Sequence, residues 1–302
     1  MRFGMQLPVQ SQSTFYAEPW EASSGRDELA AIATACDRAG FDYIAVCDHV
    51  AIPAEKAEAM STVWFDTVAT LGWLAGITAS TRLLSHVYVP AYRHPLATAK
   101  AFATIDELSG GRAILGVGAG HVEKEFEVLG IPFADRGRLT DEALDGIVAA
   151  WQDEFGWPGG EFGQKPLPPT KGGPPIWVGG SSPAALRRAA QKGDGWLPQG
   201  TTKPEMPGAI EGIKAKREAY GRTGEFTFGA IMRPVFLGDP GPDWELGKAT
   251  LVGDLDRIRR EVADYEAMGV DQVQVRFRSR SAQEYVEQIE RFSVDIMGEV
   301  PS

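Results

Sequence analysis

Cysteine is almost missing from this chain: Cys36 and Cys47 are the only two in 302 residues, too few for a disulfide framework or a thiolate zinc cluster. Both fall in apolar-patterned stretches, which fits a chain kept in a reducing cytoplasm. Basic charge is also short. Thirty Lys and Arg face 41 Asp and Glu, a net charge of −11 that repels nucleic-acid phosphates and anionic membrane surfaces. Neither is expected as a partner, and an anionic ligand needs a local cradle. The longest mostly apolar run, 67–79, contains two glycines and is shorter than the roughly 20 residues of a membrane span, so it is expected as a buried helix. The opening Met1-Arg2-Phe3-Gly4-Met5-Gln6-Leu7-Pro8 lacks the apolar core and small-residue cleavage site of an export signal. Histidine is scarce as well: His49, His86, His94 and His121 are the whole set.

What the chain has in abundance is alternation. With 43% apolar residues it can bury a large core, and short apolar runs alternate with amphipathic stretches from end to end. Strands are expected at 2–7, 41–47, 82–89, 113–117, 176–178, 196–198, 226–236 and 270–277, each followed by a helix. Gly40 is placed to end the first helix, Pro95 to open the third, and Ser281 with Glu284 to cap the last. The rhythm breaks after strand four. There Thr140 reads as the N-cap of an extra helix reaching about Phe155, and a Pro- and Gly-rich stretch from Trp157 to Pro175 follows. Eight βα units with this insertion at about 135–175 predict one α/β domain over residues 1–302, a single (β/α)8 TIM barrel. A dinucleotide-binding sheet is disfavoured, because Gly116-Val117-Gly118-Ala119-Gly120-His121 has His where the fingerprint needs its last glycine.

In such a barrel, chemistry collects at the C-terminal ends of the strands. His49 follows strand two, His86 lies in strand three, His94 comes just after it and His121 follows strand four, so all four mark one sector of one rim. No His-x-His pair closes strand one, and strands five to eight bring no His; no metal site is expected. Cys47, two residues before His49 in an alternating strand, reads as core rather than nucleophile. Gly179-Gly180-Ser181-Ser182-Pro183 has the make-up of a helix start that accepts a phosphate, and equally of a plain tight connection.

The ordered set Tyr92-Arg93-His94-Pro95, Ile105 to Arg112, Leu115 to Gly120, Pro175 to Gly180 and Gly193-Asp194-Gly195-Trp196 resembles the luciferase-like monooxygenase superfamily over nearly the whole chain. More narrowly it is similar to the branch that uses the deazaflavin coenzyme F420. The resemblance implies an oxidoreductase that moves a hydride between F420 and a small organic substrate. An FMN-dependent monooxygenase is the alternative, and a non-catalytic cofactor- or metabolite-binding barrel the lesser one. It further implies that His49 serves in acid–base catalysis with Asp48 beside it at the cofactor. A non-prolyl cis peptide, matched here by His86–Val87, is expected behind the ring, with Val89 flanking it. Ala119 and Gly120 then approach the cofactor, and Gly179, Gly180, Ser181 and Ser182 hold its phosphate. His121 stands where sugar-phosphate dehydrogenases of the family carry a catalytic Glu, and Pro53 where they carry a Trp, so a sugar phosphate fits poorly as substrate. His121 is either a second proton carrier or a structural residue at a helix start. The loops 9–24, 50–60 and 157–174, with Phe15, Tyr16, Trp20 and Phe162, suggest a partly apolar substrate pocket. The relatives also imply a homodimer.

Overall fold

Eight parallel strands close into a barrel in the computed structural model, which describes residues 1–14, 16–246 and 249–298. The strands are β1 (Arg2–Gln6), β2 (Tyr43–Val46), β3 (Arg82–Ser85), β4 (Ala113–Val117), β5 (Ile176–Val178), β6 (Gly195–Trp196), β7 (Thr227–Ile231) and β10 (Gln272–Val275), and the ring closes where β1 pairs with β10. Two further strands, β8 (Val235–Phe236) and β9 (Leu251–Val252), form a small parallel pair beside it. The expected (β/α)8 architecture is therefore the one observed.

Period-2 alternation sorts each barrel strand between two environments. Tyr43, Ala45, Leu84, Ile114, Trp177 and Leu197 pack together inside the barrel. Their neighbours Ile44, Val46, Leu83 and Leu115 join the layer between barrel and helices. That outer layer is closed by α1 (Arg26–Arg38), α3 (Thr67–Ile77), α4 (Pro95–Ser109), α6 (Arg136–Gln152), α7 (Pro183–Lys192), α8 (Met206–Ala219), α9 (Leu255–Ala267) and α10 (Ala282–Phe292); α2 (Ala57–Met60) and α5 (Glu123–Val128) are short helices in the connections. In α1 the stripe Leu29, Ile32, Ala33 and Cys36 is buried, and Gly40 ends the run with φ 78°, a left-handed conformation that glycine adopts without strain. In α10, Phe292 meets Phe3 edge-on at 5.2 Å between ring centres. Each such fully buried large apolar side chain contributes about 1.5–3 kcal/mol.

Three local expectations differ. The strand expected at 226–236 is cut in two, because Pro234 has no N–H to donate; its carbonyl instead accepts from Leu251, and β8 leaves the ring to pair with β9. The helix expected from Thr140 starts at Arg136, and Thr140 lies inside it with its hydroxyl bonded to the Arg136 carbonyl at 2.7 Å. A 3-10 turn at Phe133–Asp135 feeds that helix directly, so packing against α4 and not a side-chain cap sets its start. Ser281 does cap α10, accepting from Glu284 N–H at 3.1 Å, but Glu284 accepts from the N–H of Arg280 and not of Ser281. Pro95 does open α4, with His94 Nδ1 accepting from Leu96 N–H at 3.2 Å.

Candidate active site

The C-terminal strand ends form a rim, and β2 delivers Cys47-Asp48-His49 to it. His49 does not stand alone there. Its Nδ1 lies 2.8 Å from Oε2 of Glu125, a carboxylate with no solvent exposure. The same carboxylate accepts from Val50 N–H at 2.5 Å, Ala51 N–H at 3.2 Å and the Tyr92 hydroxyl at 3.1 Å. Burial alone would raise the Glu125 pKa, but the His49 hydrogen bond and charge with the two backbone N–H groups outweigh it and hold the group below its usual range. Burial and the neighbouring Glu125 push the Tyr92 phenol up, so Tyr92 remains a donor. A carboxylate only accepts, so the hydrogen-bond network puts a proton on Nδ1, and the neutral form of the imidazole carries its lone pair on Nε2. The ring is flanked edge-on by Trp64 at 4.4 Å and His121 at 5.7 Å.

Glu125, Tyr92 and Trp64 are not among the catalytic or cofactor residues expected from sequence. Glu125 had one visible signal, an acidic residue in the first turn of the helix after strand four, where the positive end of the helix favours it. Its contact with a residue 76 positions away was not visible. The helix expected from His121 begins at Glu123, which leaves His121 in the preceding loop, exposed and facing His49.

Asp48 is 4% exposed, and its carboxylate is occupied by the chain itself. Arg93 binds both oxygens, at 2.7 and 2.8 Å, and Val89 N–H donates at 2.9 Å. A bidentate guanidinium pair of this kind is strong and directional. Asp48 thus ties the end of β2 to the segment after β3. The cis peptide expected at His86–Val87 is present in that segment. The Val87 side chain lies between two glycines: a Cβ on Gly118 would lie 2.6 Å from Val87 Cγ2, and one on Gly179 would lie 2.5 Å from Val87 Cγ1. His86 is 2% exposed, with Nε2 3.1 Å from the Leu197 carbonyl and Nδ1 unpartnered among the described residues. Burial lowers its pKa to about 4, so it is neutral at physiological pH. Val89 packs with Tyr92 and Phe126, and Gly120, at φ 79°, approaches both Phe126 and Val89; Ala119 and Gly120 are partly exposed at the rim.

At the β5 end, Ser182 caps α7 by accepting from Ala185 N–H at 3.2 Å, with Pro183 first in the helix. Ser181 bonds to the Gln199 carbonyl at 2.8 Å and to Thr201 Oγ1 at 2.6 Å, and the Gly180 carbonyl accepts from Trp196 Nε1 at 3.0 Å. Both serines are exposed, so this helix start presents N–H groups and hydroxyls to solvent on the glycine-lined side of the mouth. Of the other aromatics, Trp20 is tied to Ser279 and Tyr285, Phe162 and Tyr16 are exposed, and Phe15 lies outside the described residues. His94 caps α4 and contacts Trp157. Among the described residues no His, Cys, Asp and Glu cluster could hold a metal, and no helix is long and apolar enough to cross a membrane.

Residues 1–241 match the luciferase-like monooxygenase family. The chain belongs to that family. An uncharacterised protein of Mycobacterium tuberculosis is 31% identical over 226 residues, covering 69% of this chain and 77% of that one. Among solved structures, the coenzyme F420-dependent tetrahydromethanopterin reductase of Methanopyrus kandleri superposes with a TM-score of 0.71 at 19% identity, covering 98% of each chain. The oxygenating constituent of 3,6-diketocamphane monooxygenase of Pseudomonas putida, in complex with FMN, gives 0.74 at 17% identity and covers 100% of each. Solved structures that share this barrel thus include one described as coenzyme F420-dependent and one in complex with FMN.

Proposed function

We propose that this chain is an oxidoreductase that moves a hydride between coenzyme F420 and a small organic substrate, with His49 carrying the substrate proton. The observation that supports it is the buried Glu125 carboxylate on His49 Nδ1, which leaves Nε2 as the nitrogen available to act as a base and stabilises the imidazolium once it is protonated. The residues at the mouth suit such a cofactor. Gly179 to Ser182 with Thr201 offer N–H and hydroxyl donors to its phosphate, and the Val87 bulge, wedged between Gly118 and Gly179, gives a ring an apolar back wall. A bound deazaflavin would supply or accept the hydride. His49 then needs only to take or return one proton at Nε2, Tyr92 and the Val50 and Ala51 N–H groups keep Glu125 ionised, and Trp64 shields the imidazole from water. Asp48 acts through Arg93 and Val89 as a positioning residue, keeping His49 and the Val87 bulge in one frame.

Titration of the purified protein with F420 and with FMN, followed by cofactor fluorescence, tests the choice of cofactor. Micromolar binding of F420 is expected; micromolar FMN binding with none for F420 would make the FMN-dependent reading correct. On any substrate that turns over, His49→Ala is expected to lower kcat by about 100-fold or more, the usual contribution of a positioned acid or base. An unchanged rate removes His49 from the chemistry.

A further inference from the structure

From the column of side chains that β10 points into the barrel, we infer that Arg276 is the substrate-anion anchor of the mouth, and that the substrate carries a carboxylate. The inference rests on the proposed function in taking the barrel mouth as the substrate pocket. Gln272 and Gln274 point inward from β10: Gln272 lies where a Cβ on Gly229 would be, and Gln274 reaches the Tyr43 hydroxyl at 3.3 Å and Gln6 at 3.4 Å. Two residues further on, period-2 alternation aims Arg276 the same way, one layer higher. The strand has ended there, yet the Arg276 carbonyl still accepts from Val235 N–H at 2.9 Å, so the backbone is held.

Arg276 is 8% exposed, and among the described residues its guanidinium has one hydrogen-bond acceptor, Glu21 Oε1 at 3.0 Å from Nη2, with the Glu18 carboxylate also within reach of its charge. Glu21 is itself fully engaged, by Val9 N–H at 2.8 Å and Glu18 N–H at 2.8 Å. It therefore holds Arg276 without using the rest of its planar fork of five N–H donors. The surroundings of the guanidinium include polar groups: Cys47 senses the Arg276 charge, and Gln10 and Ser11 lie against its thiol. The Tyr16 ring lies 5.8 Å from the guanidinium carbon. A buried arginine with free, coplanar N–H groups matches a planar carboxylate two-to-two. A phosphate dianion is matched less well, because the next cation, Arg278, is taken by Glu18 at 2.5 Å. β10 and β2 are separated in the ring only by β1, and the register Val275↔Met5↔Ile44 sets Arg276 level with Ala45, four residues before His49. Arg276 thus lies deeper in the mouth than His49, so a substrate would enter with its carboxylate inward on Arg276 and its reacting carbon outward, toward His49.

Calorimetric titration of the full chain with benzoate, and with benzamide as its neutral isostere, tests the anchor without cofactor or turnover. Wild type is expected to bind benzoate at least tenfold more tightly than benzamide. Arg276→Gln should abolish that preference while benzamide binding stays as it was, and Arg276→Lys, which keeps the charge but not the fork, should retain only a fraction of it. Equal binding of the two probes by wild type, or an undiminished benzoate preference in Arg276→Gln, overturns the assignment. Should Arg276→Gln fail to fold once its bond to Glu21 is gone, Arg276→Lys decides: full retention of the preference overturns the anchor. An arginine that merely docks the first loop would leave the preference unmoved. F420 and FMN titrations of the same preparation read the proposed function separately, so loss of cofactor binding with an intact Arg276-dependent benzoate preference sinks the oxidoreductase reading and spares the anchor.

Discussion

His49 has a reactive nitrogen because of what happens at its other one. Glu125 accepts four hydrogen bonds from two segments of the chain, 49–51 and Tyr92, so it is both held in place and ionised, and it keeps the neutral imidazole in the tautomer that presents a lone pair at Nε2. Glu125→Gln retains the shape and removes the charge. Its expected effect is a kcat about tenfold or more below wild type with KM little changed. A variant that merely loosened the loop would raise KM as well, and an unchanged kcat would show that the charge is not needed.

At the scale of elements, the mouth is assembled by close approach between strand ends. The segment after β3 carries the cis peptide, and its Val87 is accommodated because β4 and β5 offer glycine on either side. Gly116 plays the same role a layer further down, where an added Cβ would meet the Ser85 carbonyl at 2.0 Å while Ser85 Oγ and the Gly116 backbone exchange hydrogen bonds at 2.9 and 3.0 Å. Gly179→Ala is expected to cost about 1–3 kcal/mol of stability, the usual range for overpacking, and to weaken cofactor binding. Adding Val87→Ala should restore much of the loss, because the clash is between those two side chains. A denaturant-unfolding double-mutant cycle measures this coupling; additive effects would mean that Gly179 matters for some other contact.

For the whole molecule, two buried groups set the response to acid. The folded-state pKa of His86, about 4, lies below its ordinary 6.5. Between those values the unfolded chain binds a proton that the folded chain refuses, so stability falls as pH falls through that window, by up to about 3 kcal/mol. Glu125, held below its usual carboxylate range, adds stability that is present above the ordinary carboxylate pKa and is lost further down, as pH drops through its folded value. Thermal melts from pH 7 to pH 4 are expected to show Tm declining through the whole interval. His86→Gln should flatten that decline above pH 4; an unaltered slope would show that other groups govern it.

Repetition along the chain was enough to count eight strands and infer the barrel, because each βα unit is patterned locally: Leu29, Ile32 and Cys36 on one helix face, Gly40 at its end, Pro95 at the start of another. It also placed His49 and His121 at the rim and matched His86–Val87 to a family's cis bond. Splitting of the seventh strand at Pro234 was legible in principle, since proline lacks the donor a central strand needs. Other features had no local trace. That Asp48 is consumed by Arg93, that Glu125 reaches back to His49, and that Arg276 pairs with Glu21 depend on which strand ends become neighbours when the ring closes. Local pattern determines which residues form strands and helices, because it acts over a few residues; the partner of a buried charge was decided only by tertiary structure, because ring closure brings together groups dozens to hundreds of positions apart.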